Sequence, residues 1–339
     1  MHAVRSLALC LAPLLTLIPA ARPQAGGATP EPTRQELEKE ARAAAVAKLE
    51  KGWKSFEIAP FLVLSEGQDA IARETATDAA ILWKWMGETF DTFAPDAYAP
   101  APILSFHASE GGARQHGYVE GGYVFAGDGP YRLATYPALF LQSNVRRRVG
   151  EAWFEAKDRD LYFALPGWMR AGLVENFADA RTKGGKMIFK PDTNTLFDFA
   201  RAMREDKLLP LRKFLKTPLP RDASKGEGKD QRFSPSPQAG QFVRYLLIGK
   251  GAKGPKTKKI LSDTIAAVAP MVPELAKEVD AALEKDGVQR TDPKWVERRA
   301  LEFEKLESRV LDAVFDKVFA GWTDKDWEAL ADGYKFDKF

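Results

Sequence analysis

Apolar residues recur along this chain in two rhythms, one of three to four residues and one of two. The rhythm changes wherever proline or glycine interrupts it. Residues 35–53 are rich in Ala, Glu, Lys and Leu and predict a first, moderately amphipathic helix. Residues 56–65 shift to alternation and then to an apolar run at 58–64, which predicts one strand. A helical pattern returns at 68–93, with Ala70, Ile71, Ala80, Ile81, Trp83 and Trp85 at its apolar positions. Pro95, Pro100 and Pro102 break the chain ahead of a second strand at 103–107. Residues 111–129 are dense in glycine, and within and beside them 121–125 and 131–136 read as two more short strands.

From there the pattern is mostly helical. Helices are predicted at 138–156 and 166–180, the second with Pro166 in its first turn, where a missing N–H is harmless. Residues 187–190 suit an edge strand, 195–204 a helix, and 221–232 a polar, glycine-interrupted loop. Further helices are predicted at 238–248, at 260–286 with interruptions at Pro270 and Pro273, and at 292–320 as one long helix capped by Asp292. A short helix around Trp327 closes the chain, and no internal repeat is present. The sum is an α+β chain: a helix at 34–53, a small antiparallel or mixed sheet with helices at 54–190, and a mostly helical region at 191–339 packed on it.

The first residues follow a different logic. Arg5 supplies a positive start, residues 7–18 form a short apolar run, and Ile18-Pro19-Ala20 offers small residues for cleavage. That is the pattern of a secretory signal, with Ala20, Ala21 and Ala25 as alternative cleavage points and a flexible leader at 21–33. The expectation is export, to the periplasm or beyond the cell. The run is too short for a membrane span, which needs about 20 residues, and no later segment reads as one. Cys10, the only cysteine, lies inside the signal and too early for a lipoprotein, so the mature chain is expected to carry no thiol, disulfide or cysteine metal ligand.

Charge is nearly balanced. Lys and Arg total 50 against 47 Asp and Glu, a formal +3, and cleavage after Ala20 removes only Arg5 to leave +2. No global pull toward nucleic acid or an anionic membrane follows. One local exception is residues 249–259, where five lysines stand among glycines and Pro255. This run reads either as an anion patch or as a solvated hinge, and the lack of interleaved aromatics favours the hinge over nucleic-acid binding.

The chemistry-bearing stretch is Arg148-Val149-Gly150-Glu151-Ala152-Trp153-Phe154, followed by Leu165-Pro166-Gly167-Trp168-Met169-Arg170-Ala171-Gly172-Leu173-Val174-Glu175-Asn176-Phe177. Together these resemble the two active-site helices of the secreted, peptidase-MA-like gluzincins. In that family the first helix reads His-Glu-x-x-His. The second reads Leu-Pro-x-Trp-Leu-x-Glu-Gly-Leu-Ala-Glu-Tyr, and its first Glu is the third zinc ligand. Aligned on this chain, the ligand positions fall on Gly150, Phe154 and Ala171, and only Glu151, at the general-base position, keeps its chemistry. Trp168, Gly172, Leu173 and Phe177 match the second helix, while Val174 stands for Ala and Asn176 for Tyr. Residues 121–125, the helix through Trp153 and the stretch 238–246 also sit where the family places a hairpin, the first site helix and a later Gln-bearing helix.

Two imidazoles one turn apart on a helix, with a carboxylate from the next helix, cage zinc, and the metal lowers the pKa of its bound water to about 7. With hydrogen, benzyl and methyl in those places, the resemblance implies a zincin-like fold without zinc or any other cofactor. The three histidines offer no substitute pair: His2 lies in the signal, and His107 and His116 are expected in the sheet region, one in a half-buried strand and one in a loop.

Two functions follow as expectations. The first is an inactive pseudo-peptidase whose former cleft holds a peptide or protein, with Phe154 filling the metal pocket and Trp153, Trp168 and Glu175 beside it. The ordinary alternative makes both indoles plain core. The second is a metal-independent hydrolase in which Glu151 and Glu175 act as a carboxylate pair of glycosidase type. Arg146, Arg147 and Arg148 point in three directions on a helix, as an anion clamp, solvated surface or ion-pair partners. A pair to Glu151 from Arg147 or Arg148 would leave that carboxylate unsuited to donating a proton.

Overall fold

The run of apolar residues at 58–64 resolves into a hairpin rather than one strand: β1 (Trp53–Ile58) turns at Ala59-Pro60 into β2 (Phe61–Glu66). In a computed structural model, residues 32–115, 132–137, 141–190, 193–220, 236–290, 292 and 294–337 are described. The signal, His116, the stretch at 121–125 and the loop at 221–232 lie outside these residues.

A four-stranded sheet orders as β1-β2-β3-β4, with β3 at Ile103–Phe106 and β4 at Arg132–Thr135. It is mixed. β1 pairs antiparallel with β2, whereas β2–β3 and β3–β4 run parallel, with Leu62 opposite Ile103 and Ile103 opposite Arg132. Parallel neighbours need a crossover, and the helix α2 (Asp69–Thr89) supplies the first one. The period of β2 divides two environments. Phe61 and Val63 enter the main core, while Leu62 and Leu64 join Ile103 and Ala45 in a second cluster under the N-terminal helix α1 (Arg34–Ala47).

The buried stripe of α2 is Ala72, Thr75, Ala76, Ala79, Leu82 and Met86, a spacing of three to four that turns one face to the core. Its small residues let it lie close to α4 (Leu141–Ala164). A six-residue helix, α3 (Glu110–Gln115), follows β3. The helix α4 breaks at Asp158, whose backbone is extended (φ −155°, ψ 102°) and whose carboxylate accepts the Leu161 N–H at 3.0 Å, capping the final turn.

α5 (Gly167–Asp179) begins one residue after Pro166, and its start is tied from a distance. Glu307 is 3% exposed, and its carboxylate accepts the Gly167 N–H at 2.6 Å and reaches Arg170 at 3.4 Å. Burial pushes the Glu307 carboxyl up, and Arg170 partly offsets this. An antiparallel pair, β5 (Ala180–Lys183) and β6 (Lys186–Phe189), extends the chain to α6 (Thr193–Arg204) and the short α7 (Leu211–Phe214).

The helical remainder is α8 (Ser236–Leu247), α9 (Ile260–Val268), α10 (Val272–Lys285), α11 (Trp295–Lys305), α12 (Glu307–Val318) and α13 (Asp324–Phe336). The single helix expected at 292–320 is thus two, divided at Leu306, where no glycine or proline marks the break. The division lets α11 pack on α10 and α12 on α9, and it carries Glu307 inward to the start of α5. Thr323 and Asp326 close a capping box at α13. One apolar cluster runs from Phe61 of the sheet to Tyr334 of α13, so the α+β part and the helical part of Arg34–Phe339 share a core.

Candidate functional site

Gly150 sits in the middle of α4 because the ring of Phe177, from α5, lies against it. An added Cβ at Gly150 would fall within 2.7 Å of three Phe177 ring carbons. Phe154, one turn further along α4, is fully buried and completes the cluster. Its ring stacks on Tyr162 (centroids 5.4 Å, planes 8° apart), faces Phe177 at 6.3 Å, and takes edge contacts from Phe90 and Phe93. Two of the three positions that the resemblance aligns with zinc ligands therefore converge on one apolar spot, filled by Phe177. Ala171 is half-buried and packs against the edge of the same core.

The indoles belong to that core rather than to a cleft wall. Trp153 is 2% exposed among Phe90, Phe93 and Phe154, and Trp168 is 1% exposed with its ring edge-on to Phe242 of α8 at 5.5 Å. Of the two readings open to them, plain core is the one their surroundings fit. The ligand-lining role is corrected on this ground, since neither ring has an open face to offer.

Polar groups ring the apolar spot. Glu151 accepts from Arg148 Nη1 at 2.7 Å, and Glu175 lies 3.9 Å from Arg147. Arg146 turns a third way and meets Asp78 of α2 at 3.4 Å, itself bonded by Thr182 of β5. Burial draws the Arg146 guanidinium below its ordinary value, and Asp78 works against this. The three arginines thus splay to three separate carboxylates. Burial raises the Glu175 carboxyl; Arg147 and Arg244 oppose the rise and Asp179 adds to it.

Sequence reasoning missed the polar knot behind α5. Asn176 is fully buried, donates to the Gly172 carbonyl at 2.6 Å and the Gly240 carbonyl at 3.0 Å, and accepts from Arg244 Nε at 3.0 Å. Arg244, also fully buried, reaches Asp179 at 2.5 Å. Desolvation lowers the Arg244 guanidinium, with Asp179 pulling the other way. Gly172 lets α8 approach: a Cβ there would stand 2.5 Å from the Ala239 carbonyl oxygen and within 2.7 Å of the Val243 side chain. The available signal was two glycines inside strong helical patterns, each costing about 1 kcal/mol against alanine and so marking close contact.

His107 is 1% exposed, more buried than its sequence position suggests. It stands just past β3, with its N–H bonded to the Thr135 carbonyl and its ring edge-on to Trp53 at 4.8 Å. Its Nδ1 lies 3.9 Å from Glu66. Among the described residues, no group of three His, Cys, Asp or Glu side chains is arranged to hold a metal ion. A cavity of about 290 Å³ lies away from Gly150 and Phe154, at the corner between α10 and α11, lined by Asp280, Leu283, Glu284, Val288, Arg290 and Trp295. No family model, no curated protein and no solved structure matches this chain.

Proposed function

We propose that this chain is a catalytically inert member of the gluzincin-type, peptidase-MA-like group, with a zincin-like fold, no zinc, and a remaining role in binding a peptide or protein. The observation that carries the reading is the Phe177 ring lying where a side chain at Gly150 would begin. An imidazole there needs a Cβ and a ring beyond it, and both would have to displace a fully buried phenylalanine. Phe154, stacked between Tyr162 and Phe177, fills the second ligand position with benzyl rather than a donor. The base position keeps its glutamate, with its charge matched by Arg148.

Metal analysis of the purified chain tests this directly. The expected result is no stoichiometric zinc and no proteolysis that a chelator stops; one zinc per chain would end the reading. In the same proposal the chain is exported after cleavage near Ala20, so sequencing the mature N-terminus should find a start at residue 21, 22 or 26. Peptide is the expected occupant, and the outer edge of a strand such as β6 can pair with an extended chain.

A carboxylate-pair hydrolase is the second reading, and one feature favours it: burial raises Glu175, the direction a general acid needs. Its partner Glu151 is held in an ion pair by Arg148. Turnover of chromogenic glycosides that disappears in both Glu151→Gln and Glu175→Gln would establish it, and absence of turnover would remove it.

A further inference from the structure

The whole-chain charge is close to zero, but the loop between α8 and α9 concentrates positive charge on a rigid frame. Residues 249–259 carry five lysines and no acid. Two 3-10 turns, Lys250–Lys253 and Thr257–Lys259, shape the loop. It is anchored, not slack. Gly251 is buried so close to Tyr245 that a Cβ would fall within 2.7 Å of the ring and the Tyr245 carbonyl oxygen, and Thr257 Oγ1 donates to the Gly251 carbonyl at 2.6 Å. Held in this way, the lysines point outward, and all five are exposed.

Acids facing the loop are few. Lys256 pairs with Asp326 at 2.7 Å, and Asp337 accepts the Lys250 backbone N–H at 2.8 Å. Asp263 stands exposed on the first turn of α9. Among the described residues, Lys250, Lys253, Lys258 and Lys259 make no ion pair. The rim is apolar. Ile248 is 37% exposed, and Phe336, at the end of α13 beside Asp337, is 64% exposed. The bond from Lys250 to Asp337 holds the two margins together.

Four uncompensated ammoniums beside an exposed phenyl ring and an isoleucine match a bilayer surface better than a polynucleotide. Lysines are compact, strongly hydrated point charges suited to diffuse headgroups, and an apolar rim residue can enter the headgroup–acyl boundary. A polynucleotide would call for aromatic rings set among the lysines as a stacking platform. Tyr245, the ring under Gly251, is buried, and Trp322 is half-buried, with Lys256 Nζ 5.8 Å from its centroid. Among the described residues, no helix is long and apolar enough to cross a membrane, so contact would be peripheral.

We propose that the lysine loop at 249–259, with Ile248 and Phe336 at its rim, docks this protein onto the surface of a membrane containing anionic phospholipid. The site is separate from the Gly150–Phe177 region and does not depend on how that region is read. The test is co-sedimentation of the full mature chain with phosphatidylcholine vesicles, with and without phosphatidylglycerol. Binding should require phosphatidylglycerol and weaken as salt rises. The combined Lys250→Gln, Lys253→Gln, Lys258→Gln and Lys259→Gln variant should lose roughly six-hundredfold in partitioning, since each lysine near such a surface contributes about a factor of five. Phe336→Ser should lose a smaller factor, about fivefold, from the apolar insertion alone. Both change exposed side chains, and unaltered circular dichroism would confirm that folding is kept. Equal partitioning onto neutral and anionic vesicles would overturn the proposal. So would an unchanged quadruple variant, or retention on duplex DNA without vesicle binding.

Discussion

α5 is gripped on two sides by different physics. Toward α4 the contact is apolar: Phe177 lies on Gly150, and Phe154 stacks beyond it. Toward α8 it is close-packed and polar: Gly172 meets the Ala239 carbonyl, and Asn176, Asp179 and Arg244 form a buried hydrogen-bonded knot. The difference shows what the likeness to the peptidase helix consists of. Trp168 packs on Phe242, Gly172 on Val243 and Ala239, and Phe177 on Gly150. Each of these three residues serves helix packing on one side or the other, so packing alone accounts for them in the pattern.

The polar side should yield the largest effects. Arg244→Met removes the 2.5 Å charged partner of Asp179 on α8, a carboxylate 8% exposed, and also a donor to Asn176. Breaking a buried pair from one end costs about 3–5 kcal/mol, so the urea midpoint should fall sharply with little change in slope. Adding Asp179→Leu should recover much of the loss, because a matched apolar pair is far better tolerated than one stranded charge. A cost below about 1 kcal/mol for Arg244→Met would mean that the knot is not held as described.

Gly172→Ala comes next, at about 2–3 kcal/mol, since the new methyl meets a backbone oxygen that cannot rotate away. Combining it with Val243→Ala removes only the overlap with Cγ2 and leaves the Cβ of residue 243 and the Ala239 carbonyl oxygen in place. The alanine at 172 should therefore remain destabilising in that background.

Much of this architecture was legible in the sequence. The 3.6-residue rhythm located α2, α5 and α8 to within a few residues, and β3 and β4 fell where proline and glycine bounded them. The helical spacing of Arg146, Arg147 and Arg148 implied three directions, and each finds a different carboxylate. What stayed hidden depends on tertiary partners. Parallel pairing of β2, β3 and β4 follows from how the crossovers pack, and a local alternation pattern is the same for either direction. The turn at Pro60 was masked by the apolar run on both sides of it, and the break at Leu306 has no glycine or proline at all. At the candidate site, the sequence named Gly150 and Phe154 as non-ligands. That the Phe177 ring, from the next helix, lies against Gly150 is a matter of tertiary packing that no local pattern carries. Lys256 beside Trp322 was likewise invisible across 66 positions of sequence.

The apolar side gives a sharper, smaller effect. Gly150→Ala should cost about 1–2 kcal/mol, because the Phe177 ring must shift inside a packed core. With Phe177→Ala already in place, the same substitution should turn neutral or mildly stabilising, by up to about 1 kcal/mol of helix propensity. That reversal of sign is what separates this contact from the one at Gly172, where trimming the neighbouring side chain leaves the backbone oxygen in the way. Equal penalties for Gly150→Ala with and without Phe177 would show that the ring is not what requires the glycine, and the proposed loss of the metal site would lose its main support.

Glu175 sits between the two sides, with Gly240 of α8 against its methylenes and Arg147 of α4 near its carboxylate, and it offers the smallest and most specific test. Burial raises its pKa above the ordinary glutamate value of 4.5. A carboxylate raised in the folded state binds protons more readily there than in the unfolded chain. It therefore costs nothing below the unfolded value and progressively destabilises the fold as pH climbs through the folded one. Glu175→Gln removes that titration. The stability difference between variant and wild type should move in the variant's favour as pH rises from about 4.5 toward neutrality, and then level off. Urea unfolding at a series of pH values reads this directly. A difference that moves the other way would mean that Arg147 and Arg244 dominate over desolvation, and it would withdraw the one feature that favours an acid role for this residue.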